Sequence, residues 1–100
     1  QTNIQKQNNI YSLAKKNVVA ALKILIDDAN DGIVTAQYYL GDLYRDGIGV
    51  KRKYVSAYLW YSLSALQGNK SALNQISSLE KNMSREQIEY AQQLIRERKP

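Results

Sequence analysis

The stretch from Leu40 to Val50 reads LGDLYRDGIGV, and its two glycines decide between two kinds of fold. Glycines spaced in this way after a strand can cradle phosphate groups, as in the G-x-G-x-x-G fingerprint of dinucleotide-binding proteins. The third glycine of that fingerprint would stand at Arg52, and the residues before Gly47 follow a helical pattern. The Gly-Lys-Ser/Thr ending of a P-loop is also absent. The stretch therefore predicts a helix that ends at Gly47 and a sharp connection to a second helix.

An offset of 36 residues relates the segments on either side of this stretch. The residues that recur at this offset are Ala21 and Ala57, Ala29 and Ala65, Gly32 and Gly68, Ala36 and Ala72, and Leu43 and Leu79. Small residues of this kind are needed where helices approach closely and where they end. The offset therefore predicts a repeated helical unit.

Apolar residues recur at helical spacing along most of the chain, and no alternating strand pattern competes with them. The predicted helices are Val18–Asn30, Thr35–Asp46, Tyr54–Gln67 and Ser71–Lys81, with a last helix over 84–98. Ser84 and Gln87 form the capping box that opens this last helix. Residues 1–17 form either a further amphipathic helix or a ragged end. Antiparallel pairing of these helices gives an all-α solenoid of about two and a half repeats.

The composition argues against an enzyme. The chain has 100 residues and contains no cysteine and no histidine, so disulfides, thiolate metal sites and the commonest general base are excluded. We therefore expect no catalytic residue, no cofactor and no metal. No apolar run is long enough for a membrane span. Because the chain begins with Gln, we expect either a fragment of a longer repeat array or a mature form without its leader.

The net charge of +5 comes entirely from the second half of the chain. Residues 1–50 carry five basic and five acidic side chains, whereas residues 51–100 carry nine basic and four acidic ones, including the run Lys51-Arg52-Lys53. This excess indicates an alternative function, binding to nucleic acid or to another anionic surface. The basic residues are nevertheless scattered over predicted loops, helices and the tail, so a solvated surface is the simpler interpretation.

Three segments together resemble a known family. TAQYYLGDLYRDGIGV at 35–50, SAYLWYSLSALQGNKSA at 56–72 and MSREQIEYAQQLI at 83–95 are similar to the SEL-one-like repeat (SLR), a relative of the tetratricopeptide repeat. The resemblance implies a solenoid over 18–98, with one full repeat at about 36–71, half repeats on either side and a C-terminal capping helix at about 84–98. It also implies a right-handed superhelix of helix pairs that serves as a scaffold for protein interactions.

The resemblance assigns roles to single residues as well. Gly41 matches a glycine at which two helices approach closely, and Tyr44, Trp60 and Tyr61 match positions that pack helix against helix. The chain departs from the family at Lys53, where an acidic residue usually caps the second helix. Lysine cannot accept hydrogen bonds from the first N–H groups of that helix, so its start is expected to be frayed or capped by another group.

The related tetratricopeptide geometry predicts where a partner would bind. The face of the first helix opposite its packing stripe lines a concave groove, and the corresponding face of the next unit continues it. The partner-binding residues predicted in this way are Thr35, Tyr38, Asp42, Arg45, Asp46, Ser71, Asn74, Ser78 and Lys81. This polar face of mixed charge suits a peptide or protein more than an apolar ligand, although a polar helix face can also be merely solvated. Tyr39 and Tyr90 are predicted as further exposed contacts.

The sequence thus predicts a non-enzymatic adaptor that binds a peptide or protein partner in a concave groove. The resemblance implies bacterial settings, namely host interaction, secretion, the envelope and toxin immunity, or eukaryotic degradation and signalling complexes. A periplasmic or secreted bacterial location is favoured over a cytoplasmic one. Nothing in the sequence indicates the identity of the partner or the oligomeric state.

Overall fold

The computed structural model describes residues 18–98, and that range contains five α-helices and no strand. The helices are α1 (Val18–Asn30), α2 (Val34–Asp46), α3 (Tyr54–Leu66), α4 (Lys70–Glu80) and α5 (Arg85–Glu97). No observed helix end between residues 18 and 98 differs from its predicted position by more than one residue. The all-α fold class is therefore confirmed. The helix considered for residues 1–17 lies outside the described residues.

The connection between α2 and α3 contains two glycines in the left-handed conformation. Gly47 and Gly49 have φ angles of 70° and 74°, a region that residues with a side chain rarely adopt. The N–H groups of Gly47 and Ile48 both donate to the carbonyl of Leu43, at 2.8 and 3.0 Å, and so close the last turn of α2. The interpretation of these glycines as the end of a helix and a sharp turn is confirmed.

The last three helices begin in different ways. At α4 the Asn69 side chain accepts a hydrogen bond from the N–H of Ser71 at 3.0 Å. At α5 the predicted capping box is present: Ser84 Oγ accepts from the N–H of Gln87, and Gln87 Oε1 accepts from the N–H of Ser84. At α3 the N-cap residue is Lys53, whose side chain makes no capping hydrogen bond, as its departure from the family pattern predicts.

The substitution Lys53→Asp is expected to raise the free energy of unfolding by about 0.5–2 kcal/mol. Aspartate would accept a hydrogen bond from the first turn of α3, which has neither a side-chain cap nor an acidic residue. Lys51→Asp is the matched control, because it makes the same change of charge outside the cap. Thermal and urea unfolding of both variants tests the prediction, and it is wrong if Lys53→Asp melts no higher than Lys51→Asp.

The helices pack in sequence order as far as α4, and α5 then packs on α3. α1 packs on α2, α2 on α3, and both α4 and α5 pack on α3. Positions 36 residues apart have similar surroundings in this arrangement: Ala36 and Ala72 are fully buried, and Leu43 and Leu79 are 1% and 2% exposed. The offset seen in the sequence therefore reflects a repeated packing unit, as expected for an α-solenoid.

α2 and α3 pack closely at Gly41. A Cβ atom placed on this glycine would lie 2.6 Å from Cδ1 and 2.7 Å from Cε1 of Tyr61. The Tyr61 ring is fully buried, so little room exists for it to move aside. The role that the family resemblance gives Gly41, a close approach between helices, is confirmed.

The aromatic residues expected in the core are found there. Trp60 and Tyr61 are 8% and 0% exposed, and the half-buried Tyr44 packs against the core on both sides of α3. The prediction for Tyr39 is wrong, because this side chain is half-buried against the core that α1 and α2 share. Tyr90 on α5 is 55% exposed, as predicted.

Candidate protein-interaction surface

A cleft lies between the C-terminal ends of α2 and α4, and we call it the α2–α4 groove. Its lining consists of Arg45, Asp46, Arg52, Tyr54, Ser78, Leu79 and Asn82. The groove brings together Arg45 and Asp46 of α2 with Ser78 of α4, three residues that the sequence predicts as partner contacts. Three of the nine predicted residues therefore line one cleft.

Arg45 occupies the centre of this surface and is held by several side chains. Its Nη1 donates to the hydroxyl of Tyr61 at 3.0 Å and to Oε1 of Gln75 at 2.6 Å. Its Nε and Nη2 donate to the two carboxylate oxygens of Asp46, both at 2.9 Å. Because these bonds come from three different helices, the guanidinium has a fixed position in the floor of the groove.

Asp42 lies beneath Arg45, and its predicted role needs correction. Only 5% of this residue is exposed, so it is not available at the surface for a partner. Its Oδ1 accepts a hydrogen bond from the Tyr61 hydroxyl at 2.5 Å and lies 3.4 Å from Nη1 of Arg45. Asp42 thus joins α2 to α3 inside the protein. A buried carboxylate needs such donors, because leaving it without them would be costly.

The surroundings shift the titration of two groups in this network. Burial raises the pKa of the Tyr61 hydroxyl well above its usual value, and the hydrogen bond to Asp42 raises it further. The hydrogen bond to Asp46 raises the pKa of the Arg45 guanidinium. Tyr61 is therefore a neutral donor and Arg45 a cation at physiological pH. Neither group changes its charge over the physiological pH range.

The other predicted residues lie at different depths. On α2, Thr35 and Tyr38 are half-buried, and the Tyr38 ring packs against the Tyr61 ring with 5.6 Å between their centroids. On α4, the predicted residues are all exposed: Ser71, Asn74, Ser78 and Lys81. The exposed part of the candidate surface therefore consists of the α4 residues and Asp46, whereas Asp42 and most of Arg45 form its floor.

Gln75 is a residue of this surface that the sequence reading missed. It accepts from Arg45 and donates from Nε2 to the Tyr38 hydroxyl at 3.4 Å, which links α4 to α2. It stands directly beside Asn74, which the face counting selected. No local pattern in the sequence points to it, because its partners Arg45 and Tyr38 lie 30 and 37 residues away in the chain.

No group of three or more His, Cys, Asp or Glu side chains within residues 18–98 is placed to hold a metal ion. In the same part of the chain, no helix has the length and apolar character needed to cross a membrane.

A comparison with protein-family models matches residues 34–69 to the Sel1 repeat. The match begins at the first residue of α2 and ends at the N-cap of α4. It covers α2 and α3, the connection between them and the connection from α3 to α4. Neither the curated proteins nor the solved structures contain a significant match to this chain.

Proposed function

We propose that this chain, a SEL-one-like repeat protein through the Sel1 repeat at residues 34–69, is a non-enzymatic scaffold that binds a peptide or protein partner in the α2–α4 groove. Sel1 repeats generally mediate protein–protein interactions. The observation that carries the proposal is the meeting of α2 and α4 around a fixed Arg45, with exposed polar side chains along the edge.

The floor of the groove supports this function through its rigidity. The Arg45 guanidinium is already held by Asp46, Gln75 and Tyr61, so a partner would meet a surface that needs little reordering. Binding to a surface of this kind loses less conformational entropy than binding to mobile side chains.

The exposed face of α4 beside the groove supports a polar partner. Ser78 lines the groove with a hydroxyl. Asn74 and Lys81 are also exposed, about one helical turn before and after it, and offer an amide and an ammonium group. Groups of this kind donate to and accept from peptide backbones and polar side chains, as at the rims of ordinary protein interfaces. We extend the proposal to the bacterial settings of the family, namely host interaction, secretion and toxin immunity.

Affinity capture followed by mass spectrometry tests the proposed function. The double variant Asn74→Arg/Ser78→Arg places two bulky cations one turn apart on α4, of which Ser78 lines the groove. The control is Ile24→Arg, at an exposed position of α1 that lines neither this groove nor the cleft between α3 and α5. At least one protein captured by the parent and by the control should be lost with the double variant. Equal capture by all three chains would contradict the proposal.

The ionic strength of the wash separates this function from nucleic-acid binding. Retention through phosphate contacts falls steeply with salt, by roughly one power of the salt concentration for each phosphate neutralised. Retention in the α2–α4 groove should depend on Asn74 and Ser78 at every salt concentration used.

A further inference from the structure

A second cleft lies between the first turn of α3 and the outer part of α5, and we call it the α3–α5 cleft. Arg52 and Lys53 form one end of it, Val55 lies on the α3 side, and Tyr90 and Leu94 lie on the α5 side. Arg52 also lines the α2–α4 groove, so the two concave surfaces meet at this residue. The proposed function makes no use of this second surface.

The end formed by Arg52 and Lys53 is cationic. Lys51, Arg52 and Lys53 are all exposed, and none of them forms an ion pair with another residue of the range 18–98. The Arg52 guanidinium lies 5.3 Å from the centroid of the Tyr54 ring, which holds it beside the cleft. Three neighbouring cations without a described acidic partner give this end a positive potential that an anionic group would lower.

The opposite side of the cleft is apolar and aromatic. Tyr90 is 55% exposed, and the half-buried Leu94 follows it by one helical turn on the same face of α5. Val55 faces them from α3 and is also half-buried. Tyrosine in such a position is a frequent anchor of protein interfaces, because its ring offers a large contact area with few rotatable bonds.

We propose that the α3–α5 cleft is a second interaction surface, which binds an acidic peptide segment that also carries a large apolar side chain. The acidic side chains would pair with Arg52 and Lys53, and the apolar side chain would pack on Tyr90 and Leu94. Residues that meet the two requirements line the same cleft, so one short peptide can satisfy both.

The charges around Tyr90 favour a peptide over a nucleic acid. Glu86 and Glu89 lie beside Tyr90 on the outer face of α5 and line the neighbouring surface with it. Glu89 pairs with Arg85 at 3.2 Å, and Arg96 lines the same surface. Glu86 forms no ion pair with another residue of the range 18–98, so it would repel a phosphate backbone that left the cationic end and crossed Tyr90. A peptide can carry its acidic residues on one side only, so it avoids this repulsion.

Lys53 itself is accounted for by this proposal. It is the N-cap residue of α3, where a side chain that accepts hydrogen bonds would make the protein more stable. It also lines the cleft. A residue that lowers stability locally while lining a binding surface is the pattern expected when function opposes stability.

Fluorescence titration with synthetic peptides tests the proposal. The probe is a labelled peptide of about six residues in which two glutamates precede a tryptophan and a leucine, a length that an extended segment needs to cross such a cleft. The same peptide with lysines in place of the glutamates is the charge control, and an oligothymidine of equal length is the nucleic-acid control. The proteins are the parent, Lys53→Asp, Tyr90→Ala and the matched charge control Lys23→Asp, which lies on α1.

The acidic peptide should bind the parent and Lys23→Asp with equal affinity. Its affinity should fall at least about tenfold for Tyr90→Ala and for Lys53→Asp, which is the size expected for the loss of an anchor or a charge partner. Lys53→Asp is the sharper variant, because it should melt higher than the parent and so cannot lose affinity through unfolding. The groove variant Asn74→Arg/Ser78→Arg should bind the acidic peptide with the affinity of the parent. Binding at the α3–α5 cleft is therefore tested independently of binding in the α2–α4 groove.

Three results would overturn the proposal. The first is the absence of saturable binding of the acidic peptide to the parent. The second is an unchanged affinity for Tyr90→Ala, which would mean that the peptide binds elsewhere. The third is that the oligothymidine binds the parent more tightly than the acidic peptide does and loses affinity for Lys53→Asp. That result would identify the surface as a nucleic-acid contact.

Discussion

Gly41→Leu should lower the free energy of unfolding by about 1–3 kcal/mol or more, the usual result of overpacking a filled core. The physical reason is the distance of 2.6 Å between an added Cβ and Cδ1 of Tyr61. The Tyr61 ring cannot rotate away easily, since it is fully buried and its hydroxyl is bonded to Asp42. Urea unfolding followed by circular dichroism measures the change.

Two further variants show whether the loss comes from this contact. Gly41→Ala adds the Cβ alone, so it should still destabilise the protein although alanine favours a helix over glycine by about 1 kcal/mol. Ser77→Leu places leucine at the position 36 residues later, where the side chain is exposed on α4, and its effect should stay within about 0.5 kcal/mol. Equal stability of Gly41→Leu and Ser77→Leu would refute the close packing of α2 on α3.

Asp42→Ala is expected to lower the free energy of unfolding by about 1–3 kcal/mol, the cost of leaving a buried donor without its acceptor. The substitution removes the carboxylate to which the Tyr61 hydroxyl donates and which lies 3.4 Å from Arg45. Asp46→Ala is the matched control: it removes the other carboxylate of Arg45, which is exposed, so it should cost no more than about 1 kcal/mol. The prediction is wrong if the two alanine variants unfold at the same urea concentration.

The raised pKa of Tyr61 adds a dependence on pH to this prediction. A tyrosine in the unfolded chain ionises near about pH 10, whereas Tyr61 in the folded protein stays neutral at that pH. Its contribution to stability is therefore complete below this pH and is lost as the pH rises above it. The difference in stability between the parent and Tyr61→Phe should narrow through this alkaline range. A constant difference would show that the Tyr61 hydroxyl is not held in its neutral form.

The helices and their ends could be predicted from the sequence because local residues determine them. Gly47 ends α2 because its own backbone is left-handed. Ser84 and Gln87, which are three residues apart, cap the start of α5. The missing cap at Lys53 was visible for the same reason. The role of Gly41 could be assigned because the position resembles the close-approach glycine of the SEL-one-like repeat and lies on the packing side of its helix.

The network in the floor of the groove could not be predicted from the sequence. Asp42 lies next to Gly41, at the border between the packing side and the polar side of α2. Helical periodicity does not determine whether a side chain at this border is buried or exposed. Its burial depends on the hydroxyl of Tyr61, a donor 19 residues away on another helix. Arg45 likewise depends on Gln75, 30 residues away. Contacts between residues so far apart in the sequence depend on how three helices pack together. The spacing of residues along the chain does not determine that packing.

This network has a consequence for the proposed function. Substitutions of Asp42, Tyr61 or Arg45 would change the fold and the groove together, so they cannot separate binding from stability. Substitutions of Asn74 and Ser78 can separate the two, because both side chains are exposed on α4. We therefore expect variants of α4 to change affinity with little change in melting temperature.

Site-specific photo-crosslinking tests the central proposal, that a partner occupies the α2–α4 groove, most directly. A photoreactive amino acid is placed at Ser78, which lines the groove, in one chain and at Lys23, which is exposed on α1, in another. Each chain is irradiated with the proteins that the parent captures. We expect the Ser78 chain to form a covalent adduct with a captured protein and the Lys23 chain to form none. Adducts of equal yield at both positions, or an adduct at Lys23 alone, would contradict the proposal.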